Sequence, residues 1–158
     1  MSLQGHYQNA YVTHDLDRAT ARIAERHGAT GFHAFDAQMI LRTPAGEEPA
    51  HMRVALGWVG ALQIELIQPV SGAVDAYAAY LPADGSDPSL RLHHIAVRRD
   101  DLEAMRQEIR SSSLPLVFES EAAGLVCALL DARESLGHYL EYVWATPEGW
   151  NLVGWPQP

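Results

Sequence analysis

The sequence has very little cysteine, which limits the covalent chemistry that can hold it together. Its single thiol, Cys127, lies inside the apolar run Leu125–Leu130. One cysteine cannot form a disulfide within the chain, and this agrees with a reducing compartment. We interpret Cys127 as a small buried hydrophobic side chain rather than a reactive thiol, because unpaired cysteine is among the most buried residue types.

Long apolar runs and a basic leader are also missing. The first residues, Met1 to His6, contain neither a positively charged segment nor an apolar one. No apolar run approaches the roughly 18 residues that a membrane-spanning helix needs. From these features we expect a cytoplasmic protein without a membrane partner.

Basic side chains are outnumbered, with 11 against 20 acidic ones and a formal net charge of −9. A chain of this charge repels nucleic acid and anionic membranes, which argues against both as partners. Its 158 residues, 47% of them hydrophobic, are enough to bury a core without a disulfide or a metal ion. We therefore expect one domain over residues 1–158.

The order of predicted elements repeats along the chain, giving β-α-β-β-β twice. Module one covers about residues 6–70, a connector about 71–90, module two about 91–144, and a C-terminal tail 145–158. Helices are predicted over 16–26, 74–81 and 102–110. Strands are predicted over 6–13, 31–41, 51–58, 61–68, 91–98, 116–120, 125–131 and 138–144. The pattern indicates an α+β fold.

Polar residues occupy matching positions in the two halves. Gln8 and His94 each lie in the first strand of a module, seven residues before an aspartate that can begin a helix. Each module ends in a strand with a glutamate between apolar neighbours, Glu65 in the first and Glu141 in the second. Such repetition predicts a duplicated module whose two copies face each other.

Strand alternation indicates where these side chains point. In the fourth strand the leucines and the isoleucine share one face, so Glu65 projects from the other. His94 and Glu141 also project away from the apolar faces of their strands, whereas Gln8 lies in a mixed strand. A buried carboxylate is costly without a compensating charge. A single such glutamate is equally compatible with an ion-paired edge position, but two matched ones favour a divalent cation.

The sequence resembles the vicinal oxygen chelate superfamily, which includes glyoxalase I, methylmalonyl-CoA epimerase, extradiol dioxygenases and bleomycin-resistance proteins. The resemblance extends over about residues 6–144. The matching segments are Tyr11-Val12-Thr13-His14-Asp15-Leu16-Asp17, Ile64-Glu65-Leu66-Ile67-Gln68-Pro69, His93-His94-Ile95-Ala96-Val97 with Asp100-Asp101-Leu102, and Gly137-His138-Tyr139-Leu140-Glu141. It implies two βαβββ modules that form a curved mixed sheet around a metal-binding cleft.

The resemblance also implies a set of ligands for one divalent ion, namely Gln8, Glu65, His94 and Glu141. Zinc, nickel, cobalt, manganese and magnesium all suit this mixture of oxygen and nitrogen donors. The ligand types resemble those of zinc-type glyoxalase I, whereas the surrounding segments resemble methylmalonyl-CoA epimerase. Gln8 stands where extradiol dioxygenases carry a histidine, which argues against that activity.

The function that the resemblance implies is isomerase or lyase chemistry on a small-molecule substrate. A metal-polarised carbonyl acidifies the neighbouring carbon, and a carboxylate removes the proton. Glu141 is the first candidate for this catalytic base and Glu65 the second. The alternative is a non-catalytic protein that binds and sequesters a small molecule in the same cleft. We expect a homodimer by analogy with the family.

Overall fold

The computed structural model describes residues 3–155, which contain eight strands and five helices. The strands are β1 His6–Val12, β2 Thr30–Thr43, β3 Gly46–Val59, β4 Leu62–Gly72, β5 Arg91–Arg98, β6 Leu116–Ala122, β7 Leu125–Leu130 and β8 Tyr139–Ala145. The helices are α1 Leu16–His27, α2 Asp75–Ala78, α3 Leu102–Ser111, α4 Arg133–Leu136 and α5 Pro147–Leu152. Two βαβββ units follow each other, as predicted, and the α+β fold class is confirmed.

The strands form one closed barrel in the order β1-β4-β3-β2-β6-β7-β8-β5. Within the two units, β1 runs parallel to β4 and β5 runs parallel to β8. The units join where β1 pairs antiparallel with β5. On the opposite side, β2 meets β6 through only the register pairs Leu41↔Ser120 and Arg42↔Glu119. The first and last strands of both units are therefore adjacent.

Helix α1 covers the outer face of the first unit. The Asp15 side chain caps its start by accepting a hydrogen bond from the Arg18 amide at 3.0 Å, and Gly28 ends it with a φ of 68°. Its Leu16 packs with Ile64 and other apolar side chains of β4. The outer face of β4 is thus covered, and the alternate side chains point into the barrel.

Helix α3 has the same role in the second unit. The Asp101 side chain accepts a hydrogen bond from the Ala104 amide at 2.7 Å and so begins the helix. Met105 is fully buried against Val97 and Leu140 of the neighbouring strands. Both units therefore direct one face of their strands outward to a helix and the other face inward.

Several boundaries differ from those predicted. Strand β3 begins at Gly46 rather than His51, because it pairs with β2 up to the register pair Thr43↔Gly46 and includes polar residues that alternation alone does not assign. The connector helix α2 is shorter than predicted, and α4 was not predicted. In the tail, Trp150 of α5 is buried against Tyr7, while residues 156–158 lie outside the described part of the chain.

No helix within residues 3–155 has the length and apolar character that crossing a bilayer would require.

The end of β4 gives a test of the hairpin geometry. Gly72 has a φ of 78°, and a Cβ added there would overlap the Pro49 carbonyl oxygen, which also accepts a hydrogen bond from the Ala73 amide at 2.9 Å. We expect Gly72→Ala to combine backbone strain with this clash and to lower the melting temperature strongly. Gly28→Ala is the control, since Gly28 has a φ of 68° and open space around it. If calorimetry showed the same loss of melting temperature in both variants, the clash with Pro49 would not be the cause.

Candidate metal centre

The four residues predicted as ligands lie on the four adjacent strands at the junction of the two units. Gln8 is on β1, Glu65 on β4, His94 on β5 and Glu141 on β8. All four line one interior cavity. The His94 Nε2 atom lies 3.3 Å from Glu65 Oε2 and 3.4 Å from Glu141 Oε2. The structure therefore brings the histidine and both glutamates together at the position that strand alternation predicts.

Two polar atoms at this junction are buried without an aligned hydrogen bond: Gln8 Oε1, and His94 Nε2, which has only its ion-pair contacts with Glu65 and Glu141. Gln8 and His94 are only 5% and 1% exposed. Buried polar atoms are almost always paired, because an unpaired one loses its hydration without compensation. Two of them beside two carboxylates indicate atoms that are positioned to bind something further.

Gln63 orients the amide of Gln8, a role that the sequence analysis did not assign. The Gln8 Nε2 group donates to Gln63 Oε1 at 2.9 Å, and the Gln63 Nε2 group donates to the Val153 carbonyl at 2.7 Å. A carbonyl can only accept, so the direction of both bonds is fixed and Gln8 Oε1 is left as a free acceptor. Gln63 lies two residues before Glu65 on the inward face of β4. Strand alternation could therefore have predicted that Gln63 lies near the site.

His93 fixes the orientation of His94 in the same way. The His93 Nε2 atom is 3.1 Å from the Ala76 carbonyl, and the Nδ1 atoms of His93 and His94 are 2.8 Å apart. Because Ala76 can only accept, His93 donates through Nε2 and accepts through Nδ1, and His94 must carry its proton on Nδ1. His93 is thus a fully buried residue whose hydrogen bonds link the connector to His94.

The electrostatics favour charge at His94 and oppose it at its neighbours. Burial lowers the pKa of His94, but the charges of Glu141 and Glu65 outweigh burial and raise it from 6.5 to about 9. Burial and the charge of His94 lower the pKa of His93 from 6.5 to about 2. Burial raises the pKa of Glu65 despite the opposing effect of His94. The cluster is therefore a buried imidazolium held between two carboxylates.

The donor atoms fit a divalent ion chemically. Ligands about 2.1 Å from such an ion are roughly 3.0 to 3.4 Å apart, which matches the two histidine–carboxylate distances. Gln8 Oε1 would add a neutral oxygen, and two carboxylates would balance the ionic charge. Counting only His, Cys, Asp and Glu, no group of three or more within residues 3–155 is arranged as a metal site. The fit therefore depends on Gln8 Oε1, which has no partner, and on the spacing of the two carboxylates around His94 Nε2. Small side-chain rotations would bring these donors to coordination distance.

The cavity around this cluster has a volume of about 420 Å³. Its walls come from β2, β3 and β4 on one side and from β6, β7, β8 and α5 on the other. Cys127 is half-buried and lies in this wall, because the alternation of β7 directs Val126 and Ala128 toward the α3 side. Burial raises the pKa of the Cys127 thiol well above its usual value, so the thiol stays protonated.

A profile of the glyoxalase/bleomycin resistance protein/dioxygenase superfamily matches residues 7–126. The chain belongs to this superfamily. The match covers module one, the connector and most of module two, and it confirms the resemblance to the vicinal oxygen chelate proteins. A comparison with curated proteins finds no significant match.

Solved structures of methylmalonyl-CoA epimerases share the fold of this superfamily member. The enzyme from Mycobacterium tuberculosis superposes with a TM-score of 0.66 at 23% identity, covering 93% of each chain. An epimerase bound to methylmalonyl-CoA and NH4+ gives 0.67 at 21% identity, covering 94% of this chain and 99% of that one. A Streptomyces coelicolor epimerase bound to 2-nitronate-propionyl-CoA gives 0.66 at 22% identity, covering 92% and 99%. These TM-scores show a common fold, and at 21 to 23% identity they show the fold alone.

The raised pKa of His94 predicts how stability depends on pH in the metal-free protein. A histidine whose folded pKa is about 9, against 6.5 when unfolded, stabilises the fold fully below pH 6.5 and loses this effect as pH rises through 9. The full effect is about 3 kcal/mol at most. We expect the wild type to lose more stability than His94→Gln between pH 6.5 and 9.5 in chemical denaturation. If the stabilities of the wild type and His94→Gln changed with pH in the same way, His94 would not be held charged by the two carboxylates.

The hydrogen bond from His94 to His93 predicts a single histidine tautomer. Above pH 9, ¹⁵N spectra of the metal-free wild type should show His94 protonated on Nδ1. We expect His93→Phe, which keeps an aromatic ring against Tyr77, to shift the proton toward Nε2, where the carboxylates attract it. Tyr77→Phe preserves both histidines and should leave the tautomer unchanged. An unchanged tautomer in His93→Phe would show that His93 does not set it.

Proposed function

We propose that this protein is a metal-dependent isomerase or lyase of the glyoxalase type, which removes a proton from a carbon next to a metal-polarised carbonyl. The observation that supports it is the approach of His94 Nε2 to the carboxylates of Glu65 and Glu141, at 3.3 and 3.4 Å, with Gln8 Oε1 unpaired in the same cavity. An enzyme of this class needs such donors converging on open space where a substrate can enter.

Gln8, Glu65, His94 and Glu141 would hold the ion. A divalent metal supplies a Lewis acid that polarises a bound carbonyl and stabilises negative charge on its oxygen. His93 would keep the lone pair of His94 Nε2 directed at the ion, and Gln63 would do the same for Gln8 Oε1. Supporting groups of this kind raise metal affinity because they hold the ligands in place before binding. Zinc, nickel, cobalt, manganese and magnesium are all candidates.

The same carboxylates would carry the proton. Glu141 is our first candidate for the base and Glu65 the second. Burial raises the pKa of Glu65, which makes that carboxylate a stronger base than one in water. Both lie within 3.4 Å of the same His94 nitrogen, so a substrate bound there would meet two bases, and epimerisation requires one for each face of the carbon. The similarity in fold to several methylmalonyl-CoA epimerases supports this over a lyase reaction.

A second function is supported by the cavity itself. Its walls are largely apolar and enclose about 420 Å³, which suits the binding of a small molecule without any reaction. A sequestering protein of this kind would need no metal, so metal content separates the two proposals. One equivalent of a divalent ion after gentle purification, and a higher melting temperature with added metal, would support the enzyme. The homodimer and the cytoplasmic location remain predictions from the sequence.

Proton exchange with solvent tests the catalytic proposal directly. The metal-loaded protein is incubated in D₂O with candidate 2-oxo-thioesters and hemithioacetals, and deuterium at the acidic carbon is followed by NMR. We expect Glu141→Gln to slow exchange by roughly 10²- to 10⁴-fold, the usual contribution of a positioned base, with Glu65→Gln as the parallel variant. Glu148→Gln is the matched control, because Glu148 is exposed on α5.

The variants are compared at equal metal occupancy, so that loss of the ion is not mistaken for loss of the base. If Glu141→Gln exchanges as fast as the wild type while Glu65→Gln does not, Glu65 is the base. If both keep the wild-type rate with metal bound, neither carboxylate carries the proton and the mechanism is wrong.

A further inference from the structure

We infer that the part of the substrate held inside the cavity, beside the metal, is uncharged and largely apolar. This inference rests on the proposed function, because it takes the ion as the polar anchor. It goes further by assigning a chemical class to the rest of the ligand.

The walls of the cavity are largely apolar. Apolar side chains face it from both units, and the site cluster lies on the inner faces of the strands between them. The main contributors are Met39, Met52, Leu56, Phe118, Leu125 and Val143. A ligand that fills this space gains free energy through its apolar surface, since these walls offer few hydrogen bonds beyond the cluster.

The cavity is lined by acidic side chains and by no arginine among the described residues. The acidic side chains that line it are Asp36, Glu65 and Glu141, and no arginine is among its lining residues within the described part of the chain. The whole sequence contains no lysine. A divalent ion would balance the two glutamates, and Asp36 is paired with His51 at 2.8 Å. Apart from the exposed His33, the described lining residues then offer no cationic side chain to a phosphate or distal carboxylate of the ligand, which would be desolvated inside the cavity.

Two arginines on the strands of the first unit are engaged by acidic residues of the protein. Arg53 lies in β3, but its guanidinium donates to Asp17 at 3.0 Å, toward α1, and it does not line the cavity. Arg42 pairs with Glu119 at 2.6 Å across the seam between β2 and β6. Both arginines are thus held by partners on the protein, and neither lines the cavity.

The ligands of the structural neighbours provide a contrast. Two of the epimerase structures contain methylmalonyl-CoA or 2-nitronate-propionyl-CoA. Coenzyme A carries several phosphates, which require cationic partners. The cavity here encloses about 420 Å³ and has no arginine among its lining residues within the described part of the chain, so the phosphates of such a ligand would lie outside it and only a compact group would enter.

Hydroxamates are suitable probes because they chelate a metal through two adjacent oxygens. Acetohydroxamate, benzohydroxamate and 4-carboxybenzohydroxamate share this group and differ in apolar surface and distal charge. By calorimetry on the zinc-loaded protein, we expect benzohydroxamate to bind at least about tenfold more tightly than acetohydroxamate, because its ring is buried. We expect the added carboxylate to weaken binding at least about tenfold relative to benzohydroxamate.

A matched pair of variants tests the charge argument. Met39 is half-buried in the cavity wall, and a lysine there keeps an aliphatic stem while adding a cation. Met39→Lys should improve the binding of 4-carboxybenzohydroxamate at least about tenfold over Met39→Gln, which is polar and uncharged. Benzohydroxamate should bind both variants with similar affinity.

The outcomes separate this inference from the proposed function. If the protein binds no metal, both are overturned. If metal binds but benzohydroxamate is no better than acetohydroxamate, or the carboxylated probe binds as well as benzohydroxamate, the metal site stands and the apolar, uncharged substrate class is wrong. The inference is supported if benzohydroxamate binds more tightly than both other probes and if Met39→Lys binds 4-carboxybenzohydroxamate more tightly than Met39→Gln does.

Discussion

The buried contact between the His94 imidazole and the carboxylates of Glu65 and Glu141 is the interaction on which the rest of this structure depends. Placing two acidic groups inside a barrel opposes folding unless positive charge accompanies them. The imidazolium supplies it in the metal-free protein, which is why the pKa of His94 is about 9. The strand order brings these groups together, because it puts the first and last strands of both units side by side.

The hydrogen bonds around this cluster leave Gln8 Oε1 and His94 Nε2 without a hydrogen-bond partner. Two chains run inward from backbone carbonyls, one from Ala76 through His93 and one from Val153 through Gln63. Each ends at a side chain that lines the cavity and has one unpaired atom. Since the carbonyls fix the direction of donation, the orientation of both donors is decided before any ligand arrives. The connector and the C-terminal segment therefore contribute to the site although neither supplies a ligand.

The sequence predicted the part of the site that follows from periodicity. Strand alternation directed Glu65, His94 and Glu141 away from the apolar faces of their strands, and the family resemblance added Gln8 and implied one shared cleft. The structure has all four on adjacent strands lining one cavity. The contacts of His93 with Ala76 depend on how a connector folds back, and no local pattern encodes that path. The early start of β3 was missed for a similar reason, since its polar first residues are held by pairing with β2 alone.

The division of donors between the two units has a further consequence. Each unit supplies one carboxylate and one neutral donor, Glu65 with Gln8 and Glu141 with His94. One unit alone would leave a doubly charged cation half compensated and half surrounded, whereas two units meet both needs. A single unit would surround such an ion fully only together with a second copy of itself. With both units in one chain the two neutral donors need not be the same residue type, and the equivalent positions here hold glutamine and histidine.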